Sequence, residues 1–258
     1  MAWDPDQYAR YADERSRPFV ELLNRIGATH PLSVVDLGCG SGELTATLGQ
    51  RWPDARVVGV DNDDAMLAAA QSFTTDCVSF YKGDIASWVP PSPVDVIVSN
   101  AALQWVPGHL GQLPRLVEHL NPGGWLAVQV PGNLDDPHHQ AIRQIRARPQ
   151  WKERFGDLAE RTHSSYPAEV YLSLLSDLGM DLTVDAWETT YVHILQGENP
   201  VLEWVKGTGL RPVLSRLTPH QQIEFCGDLA PLLRAAYGSR PWGTPFSFRR
   251  VFVVAHKH

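Results

Sequence analysis

Between residues 33 and 130, short apolar runs alternate with stretches of helical pattern, and this alternation limits what the chain can fold into more than any other feature. Residues 33–36, 56–60, 78–81, 94–99 and 125–130 read as strands, with helices beginning near Gly42, Asp64 and His109. Strands and helices in strict alternation predict βαβ units and a parallel sheet. Strands this apolar need helices on both faces, joined by right-handed crossovers.

The flanks are less regular. Asp4-Pro5 is a helix-start signal, and Pro18 is expected to divide the first segment into two short helices. After Val130 the alternation stops. Residues 133–179 read as mixed helix and loop interrupted by Pro137, Pro149 and Pro167. Residues 182–195 read as a strand, 200–237 as a helical block and 246–255 as a last strand. The expectation is a doubly wound α/β fold, with a seven-stranded, mostly parallel sheet and helical insertions around strands five to seven. Within this single domain, residues 1–30 form covering helices and 31–132 the nucleotide-binding core. Residues 133–258 supply a helical cap and the last two strands.

A chain of 258 residues is long enough for one large α/β domain. Its net charge of −7 argues against broad attraction to nucleic acid or anionic membrane, and so for a small-molecule partner. Cys39, Cys77 and Cys226 are odd in number and form no CxxC pair, so neither a disulfide framework nor a metal site is expected. The N-terminus lacks the pattern of a signal peptide, and no run of apolar residues is long enough to span a bilayer. A monomer in the cytoplasm is the expectation.

The first strand runs into Asp36-Leu37-Gly38-Cys39-Gly40-Ser41-Gly42. A glycine-rich turn between strand and helix lets backbone approach a ligand closely. The G-x-G-x-G spacing differs from the G-x-G-x-x-G of dinucleotide-binding proteins and disfavours a nicotinamide-dependent oxidoreductase. Asp61-Asn62 ends the second strand, Asp84-Ile85 follows the third, and Asn100-Ala101 follows the fourth. Singly, Asp61 reads equally as a helix cap and Asp84 as a turn residue. Together they occupy the carboxyl ends of successive strands, where open α/β sheets bind ligands.

With these residues the sequence resembles the class I S-adenosylmethionine-dependent methyltransferases. The resemblance implies that Asp36 and the turn Gly38-Cys39-Gly40 hold the methionine moiety, and that Asp61 with Asn62 holds the ribose. It places Asp84 and Ile85 at the adenine and Asn100 with Ala101 at the sulfonium end. Met66 packs either on the adenine or into the core, and Cys39 is the small residue between two glycines. Tyr8, on an N-terminal helix, is expected at the methionine end, with Arg15 or Arg17 reaching a carboxylate.

For the acceptor, the residues themselves favour an acid. A carboxylic acid, whose pKa in water is near ~4, is already ionised at neutral pH, so its methylation needs orienting groups and no catalytic base. Arginine binds carboxylates through a planar two-point fork. Candidates in the C-terminal half are Tyr191 and His193, Trp204, the turn Thr208-Gly209, Arg211, and the pair Arg249-Arg250. Arg211 reads alternatively as a surface residue and His193 as a core histidine; adjacent Arg249 and Arg250 point to opposite sheet faces, so one of them faces a pocket. Gln104 is the neutral donor expected to orient the substrate, and Trp105 is expected to pack as lid or core.

Residues 13–18, Leu103-Gln104-Trp105, 189–193, 204–212 and 250–255 resemble one family more narrowly, that of trans-aconitate 2-methyltransferase. Arg249, a second arginine beside the family's one, and Val192, where an aromatic is expected, depart from its pattern. The likeness implies esterification of one carboxylate of a tricarboxylate, with S-adenosylmethionine converted to S-adenosylhomocysteine and no metal. A methyltransferase for another small or carrier-bound acceptor, and a non-catalytic S-adenosylmethionine-binding protein, stay open as alternatives.

Overall fold

The structure, a computed structural model, describes residues 12–155 and 165–258. Tyr8 and the Asp4-Pro5 start signal lie outside the described residues, as does the side chain of Arg15. Seven strands form one sheet in the order β3-β2-β1-β4-β5-β7-β6. They are β1 (Ser33–Leu37), β2 (Arg56–Asp61), β3 (Val78–Lys82), β4 (Val94–Asn100), β5 (Leu120–Pro131), β6 (Leu182–Leu195) and β7 (Thr244–Lys257). Neighbours from β3 to β5 pair in parallel, and β7 runs antiparallel to β5. The seven-stranded, mostly parallel expectation holds. Among the described residues no helix is long and apolar enough to cross a membrane.

The chain forms two compact units. Among the described residues, the sheet unit holds 12–132, 165–189 and 250–258, and the helical unit holds 133–155 and 190–249.

In the sheet unit the order reverses between β1 and β4: the chain leaves β1 toward β2 and β3, then returns to lay β4 and β5 on the other side. That reversal opens a crevice at the carboxyl ends of β1 and β4. One sheet face carries Val35, Leu37, Ile97, Val128, Val130, Val251 and Val253. It packs on Leu113, Leu116 and Val117 of α4 (Gln112–Glu118) and on Tyr171 and Leu175 of α7 (Ala168–Ser176). Strand alternation sends Asp36, Val98, Asn100, Ala127, Gln129 and Phe252 to the opposite face. At the far end of the strands, Asp95 ties β1 to β4 by accepting the backbone N–H groups of Leu32 (2.8 Å) and Ser33 (3.0 Å) and the Asn121 amide (2.7 Å).

Three sequence expectations change. First, α1 (Ala12–Leu23) is one helix running through Pro18. The missing N–H and ring clash cost about 3 kcal/mol. Burial of Phe19, Leu22 and Leu23, at about 1.5–3 kcal/mol each, outweighs that cost. Second, Pro137 and Pro149 open α5 (Pro137–Arg146) and α6 (Pro149–Phe155), and Pro167 precedes α7, so these prolines start helices rather than interrupt them. Proline's preset φ suits the first helical position, whose N–H has no partner within the helix. Third, β5 begins at Leu120, five residues earlier than its apolar run: Val94 pairs with Leu120 and Val96 with Trp125, leaving Asn121-Pro122-Gly123-Gly124 as an irregularity inside the strand.

The helical unit has its own core. There α5 packs on α10 (Pro219–Ala236), and α8 (Pro200–Lys206) and α9 (Arg211–Leu214) complete the cluster around Ile145, Trp204, Leu210, Phe225, Leu229 and Phe246.

One carboxylate fastens α1 to the sheet unit. Glu21 Oε1 accepts hydrogen bonds from Trp187 Nε1 (2.8 Å) and Thr189 Oγ1 (2.6 Å) on β6. Trp187 stacks flat on Phe252 of β7, with ring centroids 4.8 Å apart. Glu21→Ala removes the shared acceptor and should destabilise the protein by about 2–3 kcal/mol. Urea denaturation followed by tryptophan fluorescence checks this, and a change smaller than about 0.5 kcal/mol would deny the contact any structural weight.

Candidate active site

The crevice is built from backbone first. Gly38 has φ +83°, and a Cβ there would lie 2.1 Å from the Cβ of Ala102, so only glycine lets the β1 turn close against the β4 turn. The N–H groups of Gly38 and Cys39 both point back to the Val60 carbonyl of β2, at 2.7 and 3.1 Å. Gly42, also at φ +83°, caps α2 (Glu43–Arg51); a Cβ there would meet Ala70 and Phe80 at 2.8 Å. Beyond β4, Ala101 is the single non-glycine residue with positive φ (53°) among the described residues. Its strain is held by two bonds: its N–H donates to the Gln129 carbonyl (2.9 Å), and its carbonyl accepts from Gln104 Nε2 (2.5 Å). Backbone held off its preferred geometry in this way marks functional loops.

Two carboxylates occupy the β1–β2 side. Asp36 is 3% exposed, and Thr45 Oγ1 donates to it at 2.6 Å. Burial raises its pKa to about 6; the Thr45 bond works the other way, and the charge of Asp61 adds to the rise. Asp61 accepts one N–H on each oxygen, from Gly40 (2.9 Å) and Asp63 (3.0 Å). The cap of the helix that follows, α3 (Asp64–Ala70), is Asp63, so the helix-cap reading of Asp61 does not hold. Asp84 does act as a turn residue, accepting the Ala86 N–H at 2.9 Å, and its carboxylate stays exposed. Asn62 is exposed, while Met66 and Ile85 are half-buried; Leu67 and Ala70, not Met66, form the buried side of α3. The Cys39 thiol is buried, and burial with the charges of Asp36 and Asp61 pushes its pKa far up, so it stays a neutral, unreactive thiol.

The β4–β5–β7 side is neutral or cationic. Register pairs Asn100 with Gln129 and Gln129 with Phe252; Arg250, buried, lies two residues from Phe252 on the same face. Asn100 Oδ1, Gln104 Oε1 and both polar atoms of Gln129 are buried with no hydrogen-bond partner among the described residues. One amide N–H of Gln104 is engaged by the Ala101 carbonyl, which leaves the second N–H and the unpartnered oxygen. Trp105 is 49% exposed and does not join the core, and Arg17 is exposed on α1.

In the helical unit, Tyr191, His193 and Trp204 are core residues. His193 stacks on Trp204 (5.0 Å between centroids), which packs against Phe246 and Phe248. The Thr208 hydroxyl donates to the Trp204 carbonyl (3.2 Å), and a Cβ at Gly209 would lie 2.9 Å from the His139 ring. Arg211 is half-exposed at the start of α9, with no ion pair among the described residues. The adjacent arginines divide as strand geometry requires: Arg249 acts on Asp136, whose pKa burial raises to about 6 against that pull, while Arg250 lies on the sheet face described above. Sequence reasoning missed a partly buried polar pair here: His138 Nδ1 and the Tyr237 hydroxyl lie 2.8 Å apart.

Comparison with known proteins then decides the family. Residues 34–124 match the family model described as a methyltransferase domain. A trans-aconitate 2-methyltransferase from Streptomyces avermitilis is 46% identical, over 99% of this chain and 97% of that protein. Another from Mycobacterium sp. (strain KMS) is 50% identical over 98% of each. The chain belongs to the trans-aconitate 2-methyltransferase family. In fold it is also similar to the plantazolicin methyltransferase BpumL, solved with an analog and SAH (TM-score 0.55, 15% identity, 98% of this chain and 90% of that one).

The residues present fit the S-adenosylmethionine that family membership implies. The Gly38 turn is a cradle that a single Cβ would fill, and Asn100 beside it carries a buried oxygen without a partner. Asp36 and Asp61 provide the negative charge that a cationic sulfonium and ammonium require. Among the described residues no group of three or more His, Cys, Asp or Glu side chains is arranged to hold a metal.

Asp36 links this site to stability. It holds its proton to about pH 6 in the fold, against 3.8 in the unfolded chain, so the folded state binds the extra proton between those values. Stability therefore falls as pH rises through that window, and the loss is complete above it. Asp36→Asn should stabilise the protein at neutral pH by up to about 3 kcal/mol, with the gain fading below about pH 4, and should weaken nucleotide binding. Thermal melts across pH, paired with calorimetric titration of the cofactor, test both halves.

Proposed function

We propose that this protein methylates a carboxylate of trans-aconitate, producing the monomethyl ester and S-adenosylhomocysteine. The observation that carries the reading is similarity of 46–50% identity along 98–99% of the chain to relatives bearing that name, well beyond the shared methyltransferase core. S-adenosylmethionine supplies the methyl group: a carboxylate oxygen bonds to the methyl carbon as the sulfur–carbon bond breaks, the electron pair stays on sulfur, and no proton moves.

The protein's own contribution is placement. A carboxylic acceptor, with a pKa in water near ~4, arrives ionised, so no base is needed, and alignment and electrostatics supply the rate. The structure is consistent with that demand. Toward the carboxyl ends of β4 and β5 the polar groups of the β4–β5–β7 face are the amides of Asn100 and Gln129 and the Arg250 guanidinium, while His256, on the same face, sits at the other end of β5, stacked on Trp125. Arg250 is the cation suited to a two-point contact with a carboxylate.

Incubation with labelled S-adenosylmethionine and, separately, trans-aconitate, cis-aconitate, isocitrate and citrate tests the assignment. Methyl ester should form on trans-aconitate. Tight cofactor binding without turnover of any of the four acids would instead favour another acceptor or a non-catalytic binder. Arg250→Lys keeps the charge and loses the fork, and should reduce kcat/KM for the acceptor by about 1.5–3 kcal/mol with cofactor affinity nearly unchanged.

A further inference from the structure

Gln129 is the one polar side chain among residues 125–130, the apolar heart of β5. It is 0% exposed, and neither its amide nitrogen nor its oxygen has a hydrogen-bond partner among the described residues. A buried carboxamide with both ends unpartnered disfavours the fold, and an apolar side chain of similar shape would serve a structural role better. Turning the amide end for end changes nothing, because a donor and an acceptor are both left unpartnered either way.

Its position gives the amide a purpose. Gln129 lies opposite Asn100, in strands about 4.8 Å apart, so the two side chains share a face at the carboxyl ends of β4 and β5. Asn100 Oδ1 is also buried and unpartnered. The Gln129 backbone carbonyl holds the N–H of strained Ala101, which ties the residue to the crevice turn itself. Gln104, the donor expected from sequence, is anchored by one amide N–H on the Ala101 carbonyl. Gln129 is the amide of this row with neither its nitrogen nor its oxygen engaged among the described residues.

We infer that Gln129 orients the acceptor by donating a hydrogen bond to its reacting carboxylate, on the oxygen that does not take the methyl group. A neutral donor suits this place. It fixes the plane of the carboxylate while drawing less electron density from the nucleophilic oxygen than a guanidinium would. This role rests on the carboxylate-methyltransferase reading above.

The test uses the full-length protein with Gln129→Met, unbranched and of similar length, and Gln129→Glu. For Gln129→Met, kcat/KM for trans-aconitate should fall at least tenfold, cofactor Kd should stay within twofold, and Tm should stay level or rise. Gln129→Glu places a like charge against the acceptor; its loss should be larger and should recover as pH is lowered and the new carboxyl is protonated. Wild-type acceptor kinetics in Gln129→Met would overturn the inference. So would a joint fall in Tm and cofactor affinity, which marks a structural residue. If the wild-type protein methylates a different acid of the panel, the same comparison is made on that acid. A wild-type protein that turns over none of the acids defeats the functional reading and this inference with it, whereas an active wild type with unaffected variants defeats the inference alone.

Discussion

The structure depends on how closely the turn after β1 approaches the turn after β4. Strand order reverses between those two strands, so their turns diverge and leave a crevice, yet Gly38 and Ala102 still meet so tightly that one added methyl has no room. Everything at the site follows from that geometry. The β1 turn hangs by two N–H groups on the Val60 carbonyl, and Asp61, at the end of the same strand, holds the Gly40 N–H. The β4 turn stores strain at Ala101, held by the Gln129 backbone and the Gln104 side chain. Sheet packing on both faces makes these positions rigid enough to carry that strain.

Charge is sorted across the crevice. The β1–β2 side presents carboxylates, one of them buried deeply enough to keep its proton to about pH 6. The β4–β5–β7 side presents amides and one buried guanidinium. On the proposed function, a cationic nucleotide would be drawn to the first wall and an anionic acceptor to the second.

Buried polar groups here fall into two kinds. Asp95, Glu21 and His138 have partners and serve the fold. Among the described residues, Asn100, Gln104 and Gln129 each leave a buried polar atom without one, and these three come from the ends of β4 and β5 or the turn between β4 and α4; His119 Nε2, just before β5, is another such atom, away from that group. Such atoms are costly to retain, and their grouping at the strand ends gives that cost a functional explanation.

Local sequence sufficed for the sheet, the glycine turn and the carboxylates at strand ends, because periodicity and glycine act over a few neighbouring residues. It also suggested that Arg249 and Arg250 would face opposite ways, since strand alternation leaves no other choice. What lay beyond it depended on distant partners. Pro18 stays within one helix because Phe19, Leu22 and Leu23 bury, and Glu21 matters because β6, more than 160 residues later, brings Trp187 and Thr189 to it. His193, which read as either a ligand contact or a core histidine, stacks on Trp204 inside a core. Gln129 drew no reading from sequence, and only the register with Asn100 and Phe252 decided which way it faces and left it without a partner among the described residues. Composition and period are properties of a segment, whereas pairing and its absence are properties of what the fold brings alongside.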